Sequence, residues 1–211
     1  MLSPLYPILN LRSADESELA RVRALAVALA RAGITLLQLR AKDVGAGVFT
    51  ELAVWCVEEL GRLGCRVLIN DRVDVAMACG AAGVHLGDED IPVAVARRLL
   101  GPKAVIGYST HSIAEIEAAP PEADYLGFGP VFESPTKAGV RSARGLELLA
   151  QACRATARPV VAIGGVTLAS AADLWKAGAA SGAVITEIER SHDVRGLVRA
   201  WNESHRPPAT R

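Results

Sequence analysis

Residues 34–70 read ITLLQLRAKDVGAGVFTELAVWCVEELGRLGCRVLIN, and the fold is decided by this stretch. It holds two short apolar runs, 34–40 and 65–70, separated by an amphipathic segment at 48–63. Runs that are apolar at nearly every position suit parallel strands covered by helices, and a helix between two of them makes a βαβ crossover. Gly64 follows the helical segment at the point where a left-handed cap is wanted.

The same unit recurs along the whole chain. Strand-like runs occupy 5–11, 34–40, 65–70, 83–86, 104–108, 125–129, 159–163 and 181–186. Helical patterns fall at 16–32, 48–63, 74–79, 92–100, 113–119, 146–155, 169–176 and 194–202. In the first helix Leu19, Val22, Ala26 and Leu29 form the apolar stripe, Ser13 or Asp15 can cap the start, and Gly33 ends it. Gly80, Gly101 and Gly178 stand after other helical patterns in the same way. Eight such units in 211 residues predict an α/β protein, a single-domain (β/α)8 barrel. A doubly wound open sheet, the rival, usually carries GxGxxG after its first strand, and the sequence there is Asn10-Leu-Arg-Ser. Short links predict one catalytic domain over 1–204, followed by a frayed tail at 205–211 that contains Pro207-Pro208.

Composition narrows the function. Formal net charge is zero, so no basic field draws nucleic acid or an anionic membrane, and any phosphate must be held by a local site. No run approaches the ~20 apolar residues of a membrane span, and the N-terminus lacks a secretory signal pattern. Cys56, Cys65, Cys79 and Cys153 show no CxxC spacing and read as free thiols, which predicts a cytoplasmic protein. A homo-oligomer is compatible with all of this.

In a barrel the chemistry sits where strands finish. The second strand ends Gln38-Leu39-Arg40-Ala41-Lys42, and alternation puts Gln38, Arg40 and Lys42 on the inward face of Leu36. Two cations and an amide at the mouth suit a diphosphate. The third strand ends Asn70-Asp71-Arg72 and the fourth His85-Leu-Gly-Asp88-Glu89-Asp90. Carboxylates on neighbouring strand ends can share Mg²⁺, which takes one or two carboxylates plus phosphate oxygens. Asp71 and Asp90 also precede helical runs, so helix capping fits them equally well. His85, inside a strand, reads as a packed, hydrogen-bonded residue. Ser109, ending the fifth strand, can bond a ligand or cap the next helix, and His111 reads as part of that helix start. The sixth strand runs into Glu133-Ser134-Pro135-Thr136-Lys137, hydroxyls beside a cation. The seventh and eighth end at Gly164-Gly165 and Ile185-Thr186, where barrels often hold phosphate on backbone amides.

Taken together, QLRAK at 38–42, NDR at 70–72, GVHLGDED at 83–90, STHS at 109–112, GFGPVFESPTK at 127–137 and AIGG at 162–165 resemble thiamine phosphate synthases, over residues 5–188. The resemblance implies transfer of a pyrimidine from its diphosphate to a thiazole phosphate, with release of pyrophosphate and Mg²⁺ as cofactor. It implies that Gln38, Leu39, Arg40, Ala41, Lys42, Asn70, Ser109 and Lys137 hold the pyrimidine diphosphate, with Arg40, Ser109 and Lys137 catalytic. It also implies that Ser134, Pro135, Thr136, Gly165, Ile185 and Thr186 hold the thiazole phosphate, and that Asp71 and Asp90 bind the metal. Asp88 stands where the family commonly has glutamine, Ser134 and Thr186 exchange one hydroxyl for another, and residues 138–144 fit no pattern. The sister thiazole tautomerases share the barrel, but the resemblance implies a histidine after their sixth strand where this chain has Pro130. A regulatory barrel that binds a phosphorylated ligand without turnover is the non-enzymatic alternative.

Overall fold

The computed structural model describes residues 2–133 and 143–205. Eight parallel strands close in sequence order into a barrel: β1 (Leu5–Leu11), β2 (Leu36–Ala41), β3 (Arg66–Asn70), β4 (Gly83–Leu86), β5 (Val105–Thr110), β6 (Tyr125–Phe128), β7 (Val160–Ala162) and β8 (Ser181–Val184), with β8 pairing back onto β1. The helices between them are α1 (Glu16–Arg31), α2 (Ala46–Arg62), α3 (Val73–Cys79), α4 (Val93–Leu100), α5 (Ile113–Glu117), α6 (Gly145–Arg154) and α7 (Ala171–Lys176), the last preceded by a 3-10 turn at Leu168–Ser170. Two more follow β8, α8 (Thr186–Arg190) and α9 (Val194–Ser204). The stripe expected of α1 is buried at Leu19, Val22, Ala26 and Leu29. Among the described residues, no helix is long and apolar enough to cross a membrane, and all four cysteines are free.

Strand alternation divides the core in two. Leu5, Leu9, Leu37, Leu39, Val67, Ile69, Val84 and Ile106 face outward and pack under the helices in one large cluster. Tyr6, Ile8, Leu36, Leu68, Tyr125, Val161 and Ala183 point inward and plug the barrel. Removing such side chains from water stabilises by roughly 1.5–3 kcal/mol each, so both layers fix the strand register that positions the mouth.

Three local expectations need correction. Asp15 stands at the α1 N-cap, but its carboxylate caps nothing there and instead accepts from Ser13 Oγ at 2.9 Å. Ser112, not Ser109, caps α5, accepting from Glu115 N at 3.2 Å. The eighth strand stops at Val184, and residues 186–190, partly read as strand, coil into α8.

Candidate active site

Above the apolar plug, the inward positions of β1 to β5 are polar: Asn10, Gln38, Arg40, Asn70, His85 and Ser109. The barrel register sets them side by side, with Asn10 opposite Arg40 and Asn70 opposite His85. Arg40 Nη1 donates to Asn10 Oδ1 at 3.0 Å, while Asn10 O accepts from Arg21 Nη2 at 2.9 Å. Asn70 is buried, and no side-chain hydrogen bond to its amide is seen among the described residues, which leaves it available to a ligand. Leu39, by contrast, turns its side chain into the outer core, as its place in the alternation requires, so it can offer a ligand only backbone. Ala41 also packs against that outer layer, and Lys42 is exposed at the rim.

Across the barrel runs a chain of hydrogen bonds. Gln38 Nε2 donates to Tyr6 Oη at 2.9 Å, and Tyr6 Oη lies 2.8 Å from Tyr125 Oη. Tyr125 Oη lies 2.9 Å from His85 Nδ1, and His85 Nε2 lies 2.9 Å from Ser109 Oγ. The reading of His85 as a hydrogen-bonded strand residue thus holds. Burial pushes its imidazole down from 6.5 to about 4, with Asp90 opposing, so the ring is neutral. Burial also pushes Tyr6 up to about 12 and raises Tyr125, keeping both phenols protonated.

Asp71 and Asp90 meet at the ends of β3 and β4. Burial first, then the charge and hydrogen bond of Asp90, push Asp71 up from 3.8 to about 6, while Lys42 and Arg40 pull it down. Two carboxylates and two cations therefore converge at one side of the mouth. The capping alternative is not what the structure shows. Arg72 and Pro92 occupy the N-caps of α3 and α4, neither helix has a side-chain cap, and Asp90 Oδ2 accepts instead from Gly87 N at 2.7 Å. Asp71 adopts φ +64°, the one positive φ outside glycine among the described residues, held by its N–H to His85 O at 2.8 Å. Left-handed backbone in a residue other than glycine is worth noting as a functional signal. The donor set fits Mg²⁺: hard carboxylate oxygens, crowded enough to gain from a cation. Among the described residues no group of three His, Cys, Asp or Glu side chains is placed to hold a metal.

The other side of the mouth carries apolar side chains among the described residues. Ile163 and Ile185 pack against the inner plug, and Thr186 opens α8. At Gly164 and Gly165 the room that a Cβ needs is already filled by Pro130 and by Phe132 with Glu133. Close packing against the segment after β6 is therefore reason enough for these glycines, apart from any anion. Val131 N and Phe132 N bond Ile163 O and Gly164 O at 2.8 and 3.0 Å, anchoring the start of the loop that follows β6. Ser134, Pro135, Thr136 and Lys137 lie outside the described residues, as do 138–142 and 206–211. The sequence reading missed α8 and its ties: Glu187 accepts from Leu168 N and Trp201 Nε1, and Glu189 pairs with Arg12. Tyr6 and Asn10 on β1 and Tyr125 on β6 were also missed; each is a polar side chain in an otherwise apolar run.

Comparison with known proteins bears on this site. Residues 5–188 match the family described as Thiamine monophosphate synthase. A thiamine-phosphate synthase of Syntrophomonas wolfei is 42% identical over 170 residues, spanning 80% of this chain and 81% of that protein. One from Albidiferax ferrireducens is 41% identical over 190 residues, 90% of this chain and 85% of its own. The solved thiamine phosphate pyrophosphorylase from Pyrococcus furiosus superposes with a TM-score of 0.78 at 30% identity, covering 96% of each chain.

Proposed function

The chain belongs to the thiamine monophosphate synthase family, a family of transferases, and from that premise we propose how its barrel mouth divides the work. The reaction couples 4-amino-2-methyl-5-(hydroxymethyl)pyrimidine diphosphate to a thiazole phosphate and releases pyrophosphate. The polar half of the mouth takes the pyrimidine diphosphate, and the opposite half at Gly165, Ile185 and Thr186 takes the thiazole phosphate. Ser134, Pro135, Thr136 and Lys137 belong to this assignment through the family resemblance. The carrying observation is the convergence of Arg40 and Lys42 with Asp71 and Asp90 on one side of the opening.

On this reading Arg40 grips the diphosphate as a fork, oriented by Asn10, and Lys42 adds a point charge from the rim. Lys137 is placed on the same leaving group. Asp71 and Asp90 would hold Mg²⁺, which when bound would supply positive charge to offset that of the diphosphate. Asn70 and Gln38 orient the pyrimidine. No nucleophilic side chain is needed, because the electron-rich aminopyrimidine bears the positive charge as diphosphate leaves and the thiazole nitrogen captures its methylene carbon. Holding the two substrates together then supplies much of the acceleration. The four free thiols favour the cytoplasm.

Calorimetric titration with inorganic pyrophosphate tests the assignment. Binding is expected to require Mg²⁺ and to weaken in Asp71→Asn and Arg40→Ala. Equal binding with and without Mg²⁺ in wild type counts against it.

A further inference from the structure

We infer that the hydrogen-bond chain inside the barrel has a fixed polarity that presents Ser109 to the substrate as a donor, with His85 as its positioning residue. This deepens the proposed function by specifying the atom gripped at Ser109, and it rests on that reading only for the substrate's identity.

The direction follows from counting hydrogens. Gln38 Nε2 can only donate, and it donates to Tyr6 Oη at 2.9 Å. A phenol has one hydrogen, and the remaining partner of Tyr6 Oη among the described residues is Tyr125 Oη at 2.8 Å, so the Tyr6 hydrogen goes there. Tyr125, having accepted, gives its own hydrogen to His85 Nδ1 at 2.9 Å. A ring nitrogen that accepts carries no proton, so the neutral imidazole is protonated at Nε2, which donates to Ser109 Oγ at 2.9 Å. Ser109 therefore receives from below and keeps its own hydrogen for the mouth. Reversing one link alone strands a buried phenolic hydrogen, which is costly.

The packing is built for this arrangement. A Cβ on Gly107 would stand 2.1 Å from Tyr125 Cζ and 2.4 Å from His85 Nδ1, and one on Gly127 would stand 3.2 Å from His85 Cε1. Two adjacent strands thus omit inward side chains where Tyr125 meets His85. The chemistry at the outer end is then specific: the Ser109 hydrogen is offered to an acceptor in the mouth, a phosphate oxygen or a ring nitrogen.

The test is the His85 tautomer, read by ¹⁵N NMR of ligand-free protein labelled at histidine. The chain has four histidines, and His85→Asn identifies the signal. Wild type is expected to show Nε2 protonated and Nδ1 bare. Gln38→Leu, which removes the fixed donor at the far end, is expected to release the chain's direction and let the Nδ1–H tautomer appear. In kinetics, Ser109→Ala and Tyr125→Phe are each expected to lower kcat/KM for the pyrimidine diphosphate on the order of tenfold, with KM for the thiazole phosphate unchanged. The double variant should be no worse than Ser109→Ala alone. A wild-type Nδ1–H tautomer, or losses that multiply, overturns the inference. The expected tautomer in a protein that turns over no pyrimidine diphosphate upholds the polarity and removes the functional reading instead.

Discussion

Arg40 Nη1 donates to Asn10 Oδ1 at 3.0 Å, across the β1–β2 pair in which the two residues stand directly opposite. The bond aims a guanidinium at the mouth from a rigid strand end. Arg40→Ala is therefore expected to weaken pyrimidine diphosphate binding tenfold or more, since a hydrogen bond to a charged group is worth roughly 1.5–3 kcal/mol. Asn10→Ala should weaken it less and in the same direction, and thiazole phosphate affinity should stay unchanged in both. Calorimetry on each ligand separately checks this. A loss confined to thiazole phosphate reverses the two subsites.

Asp90 can be tested without disturbing the turn it closes. Asparagine still offers an oxygen to Gly87 N–H, so Asp90→Asn should fold normally while removing one anionic metal ligand. Turnover should fall sharply, and the residual activity should need much more Mg²⁺. Near-normal turnover with an unchanged Mg²⁺ requirement points to another ligand, with Asp88 and Glu89 the next to substitute.

Asp71 separates charge from backbone. At φ +64° asparagine is well tolerated, whereas alanine is not. Asp71→Asn and Asp71→Ala should lose activity alike, but only the alanine variant should also lose about 1–2 kcal/mol of stability. Urea denaturation of both decides the point; equal stabilities mean that the left-handed turn costs alanine nothing.

Stability should also track the neutral His85. Its folded value is depressed to about 4 from 6.5, so on acidification the unfolded chain takes the proton first. The contribution is present above pH 6.5 and lost as pH falls through about 4. The difference in unfolding free energy between wild type and His85→Asn should therefore shrink over that window. A difference that is constant with pH contradicts a neutral buried ring.

Much of this was legible in the residues. The runs at 5–11 and 83–86 match β1 and β4 residue for residue, because each is an apolar stretch with a clear break at both ends. Alternation was enough to place Leu36, Gln38 and Arg40 on one inward face. What escaped was short or non-local. The five residues of α8 are too few to show a helical stripe, and Tyr6 and Tyr125, 119 positions apart, meet only when the barrel closes. Asp71 and Asp90 looked like helix caps because helices follow, yet Arg72 and Pro92 intervene and take the cap positions. Sequence adjacency could not distinguish a carboxylate that faces a helix from one that faces the mouth.

The central claim is that this mouth joins two phosphorylated substrates, and one incubation tests it most directly. Purified protein is mixed with Mg²⁺ and the pyrimidine diphosphate, the thiazole phosphate, or both, and pyrophosphate and thiamine phosphate are measured. The account predicts thiamine phosphate and stoichiometric pyrophosphate only with both substrates, and at most isomerisation with thiazole phosphate alone. Rapid isomerisation of the thiazole phosphate without coupling under any metal condition would contradict it and identify a tautomerase.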